Sequence, residues 1–246
     1  MTKNYAHRGF SGKYPENTLL AFRKAIEAGV DGIELDVQLS KDGEVVIIHD
    51  ETVDRTTNGK GFVMNYTLAE LKELDASAGF VGVYGKNEIP TLREYFELVA
   101  PTDIMTDIEL KTGLVSYDGL EEKVLALIDE FDMRKRVVVS SFNHYSVLQF
   151  KKLAPDVKCG FLTSSWIIDM ADYTKKNGVE CVHPVFPQVT DEFVGEAKAA
   201  GLEINTWTVD NKEAMMDLLG KNVDGLIGDY PDVCREAIEE YNGTTY

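Results

Sequence analysis

The sequence predicts an α/β protein that folds as a (β/α)8 TIM barrel, and three observations lead to this prediction. Short β-rich runs alternate with segments of helical periodicity, which is the pattern of right-handed βαβ units around a parallel sheet. Together with this alternation, the length of 246 residues favours a closed barrel over an open doubly wound sheet. Eight of the runs remain for the barrel after one is assigned to a hairpin.

Nine runs have the short, apolar and β-branched character of strands. In chain order they are NYAHR (4–8), GIELDV (32–37), VVIIH (45–49), DIMTDIEL (103–110), VVVSSF (137–142), KCGFL (158–162), ECVH (180–183), EINTWTV (203–209) and GLIG (225–228). Most of these runs are followed by a helical segment, so the connections are long enough to cross over the sheet.

Helices are predicted from apolar residues that recur at steps of three or four. After the first run Asn17 is the predicted N-cap and Gly29 the predicted stop of such a segment, and two capping boxes begin at Thr67 and Thr91. Pro231 stands where a first-turn proline belongs. The apolar positions of the clearest two segments are Leu19, Phe22, Ile26 and Val30, and Leu120, Val124, Leu127, Ile128 and Phe131.

One connection between runs is too short for a helix. GIELDV leads through QLSKDGEV directly into VVIIHD, and Asp42-Gly43 supplies the positive φ that a tight turn requires. We expect an antiparallel hairpin in which the numbers of paired residues add up to about 84 or 85. Asp36 then lies opposite Ile48 or His49, and the hairpin returns His49 to the mouth of the barrel.

Charged residues collect at the predicted carboxyl ends of the second and third barrel strands, where such barrels carry their chemistry. Glu34 and Asp36 share one face of a strand, and Glu109 and Lys111 repeat this spacing with Asp107 on the same face. Buried carboxylates are costly unless they are paired or bind a cation. Three oxygen ligands suit Mg²⁺ or Ca²⁺ rather than zinc, and a buried ion-pair network is the alternative.

Two histidines end predicted segments beside these carboxylates, namely His7 after the first run and His49 after the hairpin. Imidazole titrates near neutral pH, so the two rings could divide general-acid and general-base duty, although a lone histidine at a strand end is more often structural. Arg8 and Lys111 are the cations placed to bind a phosphate. The residues alone therefore indicate metal-assisted phosphoester chemistry.

Four further residues near strand ends carry weaker signals. Phe142 and Trp207 either form an apolar wall of the pocket or belong to ordinary barrel packing. His144 is predicted to lie in the first turn of a helix with a structural role. His183 ends a strand, but its neighbours suggest no function.

The net charge of −17 argues against general nucleic-acid binding and against docking to an anionic membrane. The first residues lack the apolar segment of a signal peptide, and no run has the length of a membrane span, so we expect a cytoplasmic protein. Cys159, Cys181 and Cys234 are far apart in sequence and are expected to be free and buried. The sequence leaves the oligomeric state open.

In combination, these motifs resemble the glycerophosphodiester phosphodiesterase family. The stretches that carry the resemblance are AHRG…PENTLLAF, GIELDVQLSKDGEVVIIHDETVDRTTNG, IPTL, IELK, SSF, INTWTV and DGLIGDYPD, in that order. They extend over essentially the whole chain, and HRG followed by PENT, ExD, HD and ExK is a specific combination. The resemblance implies a single TIM-barrel domain over residues 1–246, with a small insertion at about 37–90 after the second strand.

The resemblance also implies hydrolysis of a glycerophosphodiester to sn-glycerol 3-phosphate and an alcohol. It implies one divalent cation, Mg²⁺ or Ca²⁺, with Mn²⁺ as a further candidate. Attack by water and attack by the glycerol 2-hydroxyl through a cyclic phosphate are both compatible with it. The residues carried over by motif are the acid–base pair His7 and His49, the phosphate-binding Arg8 and Lys111, and the metal ligands Glu34, Asp36 and Glu109.

Two positions depart from the family pattern. Asp107 stands where relatives often have Asn, which makes it a further candidate ligand, and Gly228 stands where relatives commonly have Thr, which removes a hydroxyl contact. In the insertion, Phe62, Phe80 and Tyr84 form either a lid that limits the leaving group or a second small core that covers the hairpin.

Two other functions fit the same residues. One is a phospholipase D-like or cyclic-phosphate-forming enzyme on this barrel, and the other is a non-catalytic glycerophosphodiester-binding module. The acidic chain disfavours a lipid substrate because interfacial binding normally uses basic and apolar surface. The presence of both histidines disfavours the binding module. We therefore expect a small-molecule glycerophosphodiester as the partner, with no nucleic acid and no membrane span.

Overall fold

The sheet closes on itself in the computed structural model, which describes residues 1–244. The strands are β1 (Lys3–His7), β2 (Gly32–Leu39), β3 (Val45–Ile47), β4 (Met105–Leu110), β5 (Val137–Ser141), β6 (Lys158–Thr163), β7 (Cys181–Pro184), β8 (Glu203–Thr206) and β9 (Gly225–Gly228). Their spatial order is β1-β9-β8-β7-β6-β5-β4-β2-β3, and β1 also pairs with β2. All pairings are parallel except β2 with β3, which confirms the predicted TIM barrel with an insertion after its second strand.

Most of the helices surround the barrel, and one lies in the insertion. They are α1 (Leu19–Glu27), α2 (Leu68–Glu73), α3 (Leu92–Val99), α4 (Leu120–Glu130), α5 (His144–Leu153), α6 (Met170–Lys176), α7 (Asp191–Ala200), α8 (Lys212–Gly220) and α9 (Pro231–Thr244). Both predicted capping boxes, at Thr67 and Thr91, are present. Among residues 1–244, no helix is long and apolar enough to cross a membrane.

The predicted N-cap of α1 is wrong by one residue. Thr18 caps the helix, since its side chain accepts a hydrogen bond from the amide of Ala21. Asn17 instead has a left-handed backbone with φ of 54°, and its side-chain amide donates to Asp36 at 2.8 Å. Asparagine is one of the few residues that tolerate this conformation. The polar residue that was predicted to start the helix is therefore part of the barrel mouth.

The hairpin has the predicted register. Val37 pairs with Ile47, and the amide of Ile48 donates to the carbonyl of Asp36 at 3.0 Å. β4 occupies one edge of β2 over its whole paired length, so β1 and β3 share the other edge, β1 at its beginning and β3 at its end. His7 and His49 therefore approach β2 on the same edge, from opposite directions along the strand.

The insertion has a small hydrophobic core of its own, separate from the core between the barrel and its helices. Its buried members are Val46, Ile48, Val53, Val63, Leu71, Ala76 and Ile89. Phe62 and Tyr84 are exposed, and the Tyr84 ring contacts Tyr14 at a centroid distance of 5.1 Å. The insertion therefore has a second small core, built from aliphatic residues, that covers the hairpin, and the lid formed by Phe62, Phe80 and Tyr84 stays a prediction. The three cysteines are free and buried, as predicted.

Candidate active site

The predicted site residues meet in a pocket at the carboxyl ends of the barrel strands. The residues that line it are His7, Arg8, Glu34, His49, Asp107, Glu109, Ser140, Phe142, Leu162, Trp207 and Ile227. Asp36 and Lys111 do not line the pocket but form ion pairs with residues that do, Asp36 with Arg8 at 3.5 Å and Lys111 with Glu109 at 2.8 Å. All nine residues predicted for the site are thus brought together.

Three buried carboxylates form the centre of the site. Glu34, Asp36 and Glu109 each offer an oxygen atom, and these oxygens lie within 4.8 Å of one another. The register of the sheet produces this arrangement, because Asp36 is paired with Glu109 on the neighbouring strand and Glu34 lies two residues earlier on the same face. Three like charges in a buried space require compensation by cations or protons.

The negative charge of the triad is compensated in two ways, by protonation of some carboxylates and by nearby cations. Burial and the charge of Asp36 raise the pKa of Glu34, and the same two causes raise the pKa of Glu109 to about 7. Burial also opposes ionisation of Asp36, but the cations of Arg8 and Lys111 hold its pKa well below the ordinary value. The site therefore contains one firmly ionised carboxylate between two that hold their protons more tightly.

The donor set fits a hard divalent cation. Oxygen atoms of three carboxylates suit Mg²⁺, Ca²⁺ or Mn²⁺, and Oδ1 of Asp36 is buried without a hydrogen-bond partner among the described residues. The ion-pair alternative is also partly realised, since Lys111 lies 2.8 Å from Glu109 and 3.6 Å from Asp36. The buried acidic triad could therefore hold a metal ion, with the two cations beside it.

His7 is oriented by a carboxylate from the far end of the chain. Its Nδ1 lies 2.6 Å from Oδ1 of Asp229, the residue that follows β9, while its Nε2 lies 3.9 Å from Glu34. The hydrogen bond to His7 keeps the pKa of Asp229 low in spite of burial. Because a carboxylate accepts from Nδ1–H, Nε2 of His7 is the nitrogen that is turned toward the triad.

His49 has the same arrangement with a different partner. Its Nδ1 lies 2.6 Å from Oδ1 of Asp50, which in turn accepts hydrogen bonds from Arg55 at 2.7 and 2.9 Å. Arg55 also donates to Glu16 at 2.6 Å, and Glu16 accepts from Arg8 at 3.0 Å. Burial lowers the pKa of His49, which favours the neutral imidazole.

A tight turn after β1 brings Arg8 into the site. Arg8 has a φ of 55° and Gly9 a φ of 79°, both in the left-handed region. A Cβ atom at Gly9 would lie 2.8 Å from the backbone of Ala21 in α1, so only glycine fits at this position. The turn directs the amide of Arg8 to Glu34 at 3.0 Å and its guanidinium toward Asp36.

Two aromatic rings form the apolar side of the pocket. Phe142 and Trp207 pack edge to face with centroids 5.4 Å apart, and the indole N–H of Trp207 donates to the carbonyl of His183 at 2.9 Å. His144 lies outside the pocket, stacked on Phe161 at 4.1 Å. The two predicted wall residues are therefore in contact with each other at the pocket.

Asp107 lines the same pocket but has partners of its own. It accepts a hydrogen bond from the Ser140 hydroxyl at 2.8 Å and lies 3.2 Å from Nδ1 of the fully buried His183. A Cβ atom at Gly160 would lie 2.7 Å from His183, so the barrel interior leaves room for this ring. Asp107 and His183 thus form a buried pair, and Asp107 is not one of the three mutually close carboxylates.

Sequence reasoning missed the residues that orient the others. Asp50, Asp229, Glu16, Asn17 and Arg55 all stand inside the HD, GDYPD, PENT and TVDRTT stretches, but nothing in the local spacing shows what each side chain contacts. Asp229, for example, lies 222 positions from His7. Of these residues, only Asp50 could be suspected from the sequence, because it is an acidic residue that directly follows His49.

Comparison with known proteins finds relatives that match over nearly the whole chain. The model of the glycerophosphoryl diester phosphodiesterase family matches residues 7–233. A glycerophosphodiester phosphodiesterase of Caldanaerobacter subterraneus subsp. tengcongensis is 47% identical over 227 residues, which are 92% of this chain and 93% of that protein. One of Bacillus altitudinis is 44% identical over 243 residues, with 98% and 99% covered.

Solved structures give the same result. A phosphodiesterase of Oleispira antarctica, in complex with the product sn-glycerol-3-phosphate, is similar with a TM-score of 0.86 and 32% identity over 96% of each chain. A glycerophosphodiester phosphodiesterase of Agrobacterium tumefaciens has a TM-score of 0.82 and 30% identity, over 95% of this chain and 99% of that one. Because the sequence matches over most of its length and the same barrel is shared, the chain belongs to the glycerophosphoryl diester phosphodiesterase family of enzymes.

Proposed function

We propose that the protein hydrolyses glycerophosphodiesters to sn-glycerol 3-phosphate and an alcohol, with one divalent cation and two histidines. The observation that carries the proposal is that His7 and His49, each with an aspartate on Nδ1, flank one edge of the strand that bears Glu34 and Asp36. The related Oleispira enzyme binds this product, which supports the same substrate class here.

In this proposal Glu34, Asp36 and Glu109 hold the cation, which is Mg²⁺, Ca²⁺ or Mn²⁺. The bound ion would neutralise charge on the phosphate and polarise it toward attack. Arg8 and Lys111 bind the non-bridging oxygens of the phosphate, Arg8 as a planar fork and Lys111 as a point charge. Phe142 and Trp207 pack against the carbon atoms of the glycerol.

We assign the base to His49 and the acid to His7. Burial lowers the pKa of His49, so its neutral Nε2 accepts the proton of the attacking water or hydroxyl, while Nδ1–H remains bonded to Asp50. Nε2 of His7 carries a proton and donates it to the departing alkoxide, while Asp229 stabilises the cationic ring through Nδ1. The products leave with His49 protonated and His7 neutral, and the rings exchange protons with solvent before the next turnover.

Release of glycerol 3-phosphate from glycerophosphocholine and glycerophosphoethanolamine tests the proposal. A coupled dehydrogenase assay follows product in EDTA and after Mg²⁺, Ca²⁺ or Mn²⁺ is restored separately. We expect release that depends on an added metal and that is absent in a folded variant with both His7→Gln and His49→Gln. No release with any metal would overturn the proposal, and a cyclic phosphate as the final product in phosphorus NMR would replace the hydrolase with a lyase.

A further inference from the structure

The backbone carbonyls of the peptide segment that carries His49 are held by one side chain. Residues 48–50 lie beyond the end of β3 at Ile47, so the backbone carbonyls of this segment have left the sheet. Those of Ile48, His49 and Asp50 accept hydrogen bonds from the same atom, Nε2 of Gln38, at 2.9, 3.1 and 2.7 Å. An amide nitrogen has two hydrogens, so three carbonyls share two donors.

Gln38 is well placed for this contact. It lies two residues after Asp36 on the same face of β2 and is completely buried. A buried amide can point either its oxygen or its nitrogen at a given neighbour, and only the nitrogen bonds to carbonyls. The orientation of the amide therefore decides whether the contact attracts or repels the segment.

Tyr117 determines that orientation. Its hydroxyl, on the connection between β4 and α4, donates to Oε1 of Gln38 at 2.7 Å. Only 7% of Tyr117 is exposed, and burial raises the pKa of its hydroxyl to about 12, so it stays a donor at neutral pH. The amide oxygen is thus turned to Tyr117 and the amide nitrogen to the three carbonyls.

We propose that Gln38 and Tyr117 are positioning residues for the reaction, since together they fix the backbone of residues 48–50 and with it the imidazole of His49. The inference rests on the proposed function, in which His49 is the base. His7 needs no such contact, because it lies within β1 and is paired directly with Glu34 of β2. Neither Gln38 nor Tyr117 touches the reacting atoms in this proposal.

Tyr117→Phe is the main test, and Tyr95→Phe is its matched control. Tyr95, on α3, is also buried, and its hydroxyl also makes one hydrogen bond, at 2.9 Å to the Thr106 hydroxyl. We expect similar small decreases in Tm for both variants. Only Tyr117→Phe should lower kcat, by about three- to tenfold, with KM for glycerophosphocholine changed less than twofold. An unchanged kcat, an equal loss in the control or an effect confined to KM would overturn the proposal.

Hydrogen exchange separates this inference from the proposed function. If His49 is held as described, the amide of Ile48, which donates to the carbonyl of Asp36 at 3.0 Å, should exchange about tenfold faster in Tyr117→Phe than in the wild type, and the amides of β1 should not change. This readout needs no substrate, so it decides the positioning even if the wild type releases no glycerol 3-phosphate. Equal protection of the Ile48 amide in Tyr117→Phe and Tyr95→Phe would refute the positioning role.

Gln38→Glu gives a second variant of nearly the same size. It replaces the donating nitrogen by an oxygen that faces three carbonyls, and the expected loss of kcat is larger than in Tyr117→Phe. Circular dichroism and Tm establish whether this variant is folded. If it is folded and as active as the wild type, the proposal is wrong; if it does not fold, Tyr117→Phe decides the question alone.

Discussion

The two histidines of the site are held by different parts of the molecule. His7 belongs to a barrel strand, and its aspartate follows β9, which pairs with β1 to close the barrel. His49 follows the hairpin at the beginning of the insertion, and its aspartate is the next residue in the chain. The side chain of His7 is 14% exposed, whereas that of His49 is 30% exposed.

This difference shows two ways to place the same chemical group. The geometry of His7 is a consequence of barrel closure, so it persists as long as β1 and β9 are paired. The geometry of His49 depends on side chains that reach its segment from elsewhere, Gln38 from the barrel and Arg55 through Asp50 from the insertion. Substitutions outside the barrel should therefore disturb His49, the proposed base, and leave His7, the proposed acid, unchanged.

The largest expected effect separates the two roles. His7→Gln and His49→Gln should each lower kcat on glycerophosphocholine by about 10²- to 10⁴-fold, because each removes one proton transfer. With a p-nitrophenyl ester of glycerol 3-phosphate the leaving group needs no proton, so His7→Gln should regain most of its activity and His49→Gln should not. Recovery of activity in His49→Gln alone would make His49 the acid and His7 the base. Equal recovery in both variants would show that the two histidines do not have separate roles.

The aspartates should follow the histidine that each one orients. Asp229→Asn and Asp50→Asn retain the shape but lose the negative charge, and each should lower kcat by about 10- to 100-fold. The p-nitrophenyl ester should again rescue only the variant on the His7 side, Asp229→Asn. Steady-state kinetics with both esters provide the check. Identical behaviour of the two variants would show that the aspartates act on the site as a whole rather than through separate rings.

The comparison also explains what the sequence could predict. Regular elements were predictable because apolar periodicity and caps are local, as at Thr67, Thr91 and Pro231. The hairpin and its register were also predictable, since Asp-Gly fixes the turn and a turn fixes the pairing. Carboxylates inside apolar strands indicated the triad, because buried charge is rare without a function.

Contacts between distant segments were not predictable in the same way. Asn17 has the residue type and position of an N-cap, and only the three-dimensional structure shows that it binds Asp36 while Thr18 caps the helix. Similarly, Gln38 occupies an ordinary strand position in the sequence, although its amide holds three carbonyls ten or more residues away. Spacing along a strand gives the face of a side chain but not its partner.

A moderate effect is expected from the insertion alone. Arg55→Met removes the bonds to Asp50 and Glu16, so kcat should fall by about three- to tenfold through poorer orientation of His49. Arg134→Met is the matched control, since Arg134 also bridges two carboxylates, those of Asp129 and Asp156, but has no contact with Asp50 or Glu16. In Arg55→Met, activity on the p-nitrophenyl ester should fall by the same factor as activity on glycerophosphocholine, because both substrates require the base. Equal losses in the two arginine variants would contradict a specific link between the insertion and His49.

The smallest effect concerns the carboxylates that lie between the two histidines. Burial and Asp36 raise the pKa of Glu109 to about 7 in the folded, metal-free protein, whereas a glutamate in the unfolded chain has a pKa of about 4.3. Between these values the folded state binds a proton that the unfolded state lacks, so the free energy of unfolding falls as the pH rises. In EDTA, Glu109→Gln should therefore gain Tm relative to the wild type from about pH 5 to pH 7, by a few degrees, and no further above that range.

Thermal unfolding at several pH values, followed by circular dichroism, measures this difference. A difference in Tm that does not depend on pH would mean that Glu109 is ionised throughout the range. Adding Mg²⁺ should reverse the trend, because metal binding requires the deprotonated carboxylate. Between about pH 5 and pH 7, Arg55→Met should show the same change of Tm with pH as the wild type, since Arg55 lowers the pKa values of Asp50 and Glu16 but does not contact Glu109. If Arg55→Met did change the pH dependence of Tm in this range, the insertion would influence the carboxylate triad as well as His49. The triad and His49 would then not be independent of each other.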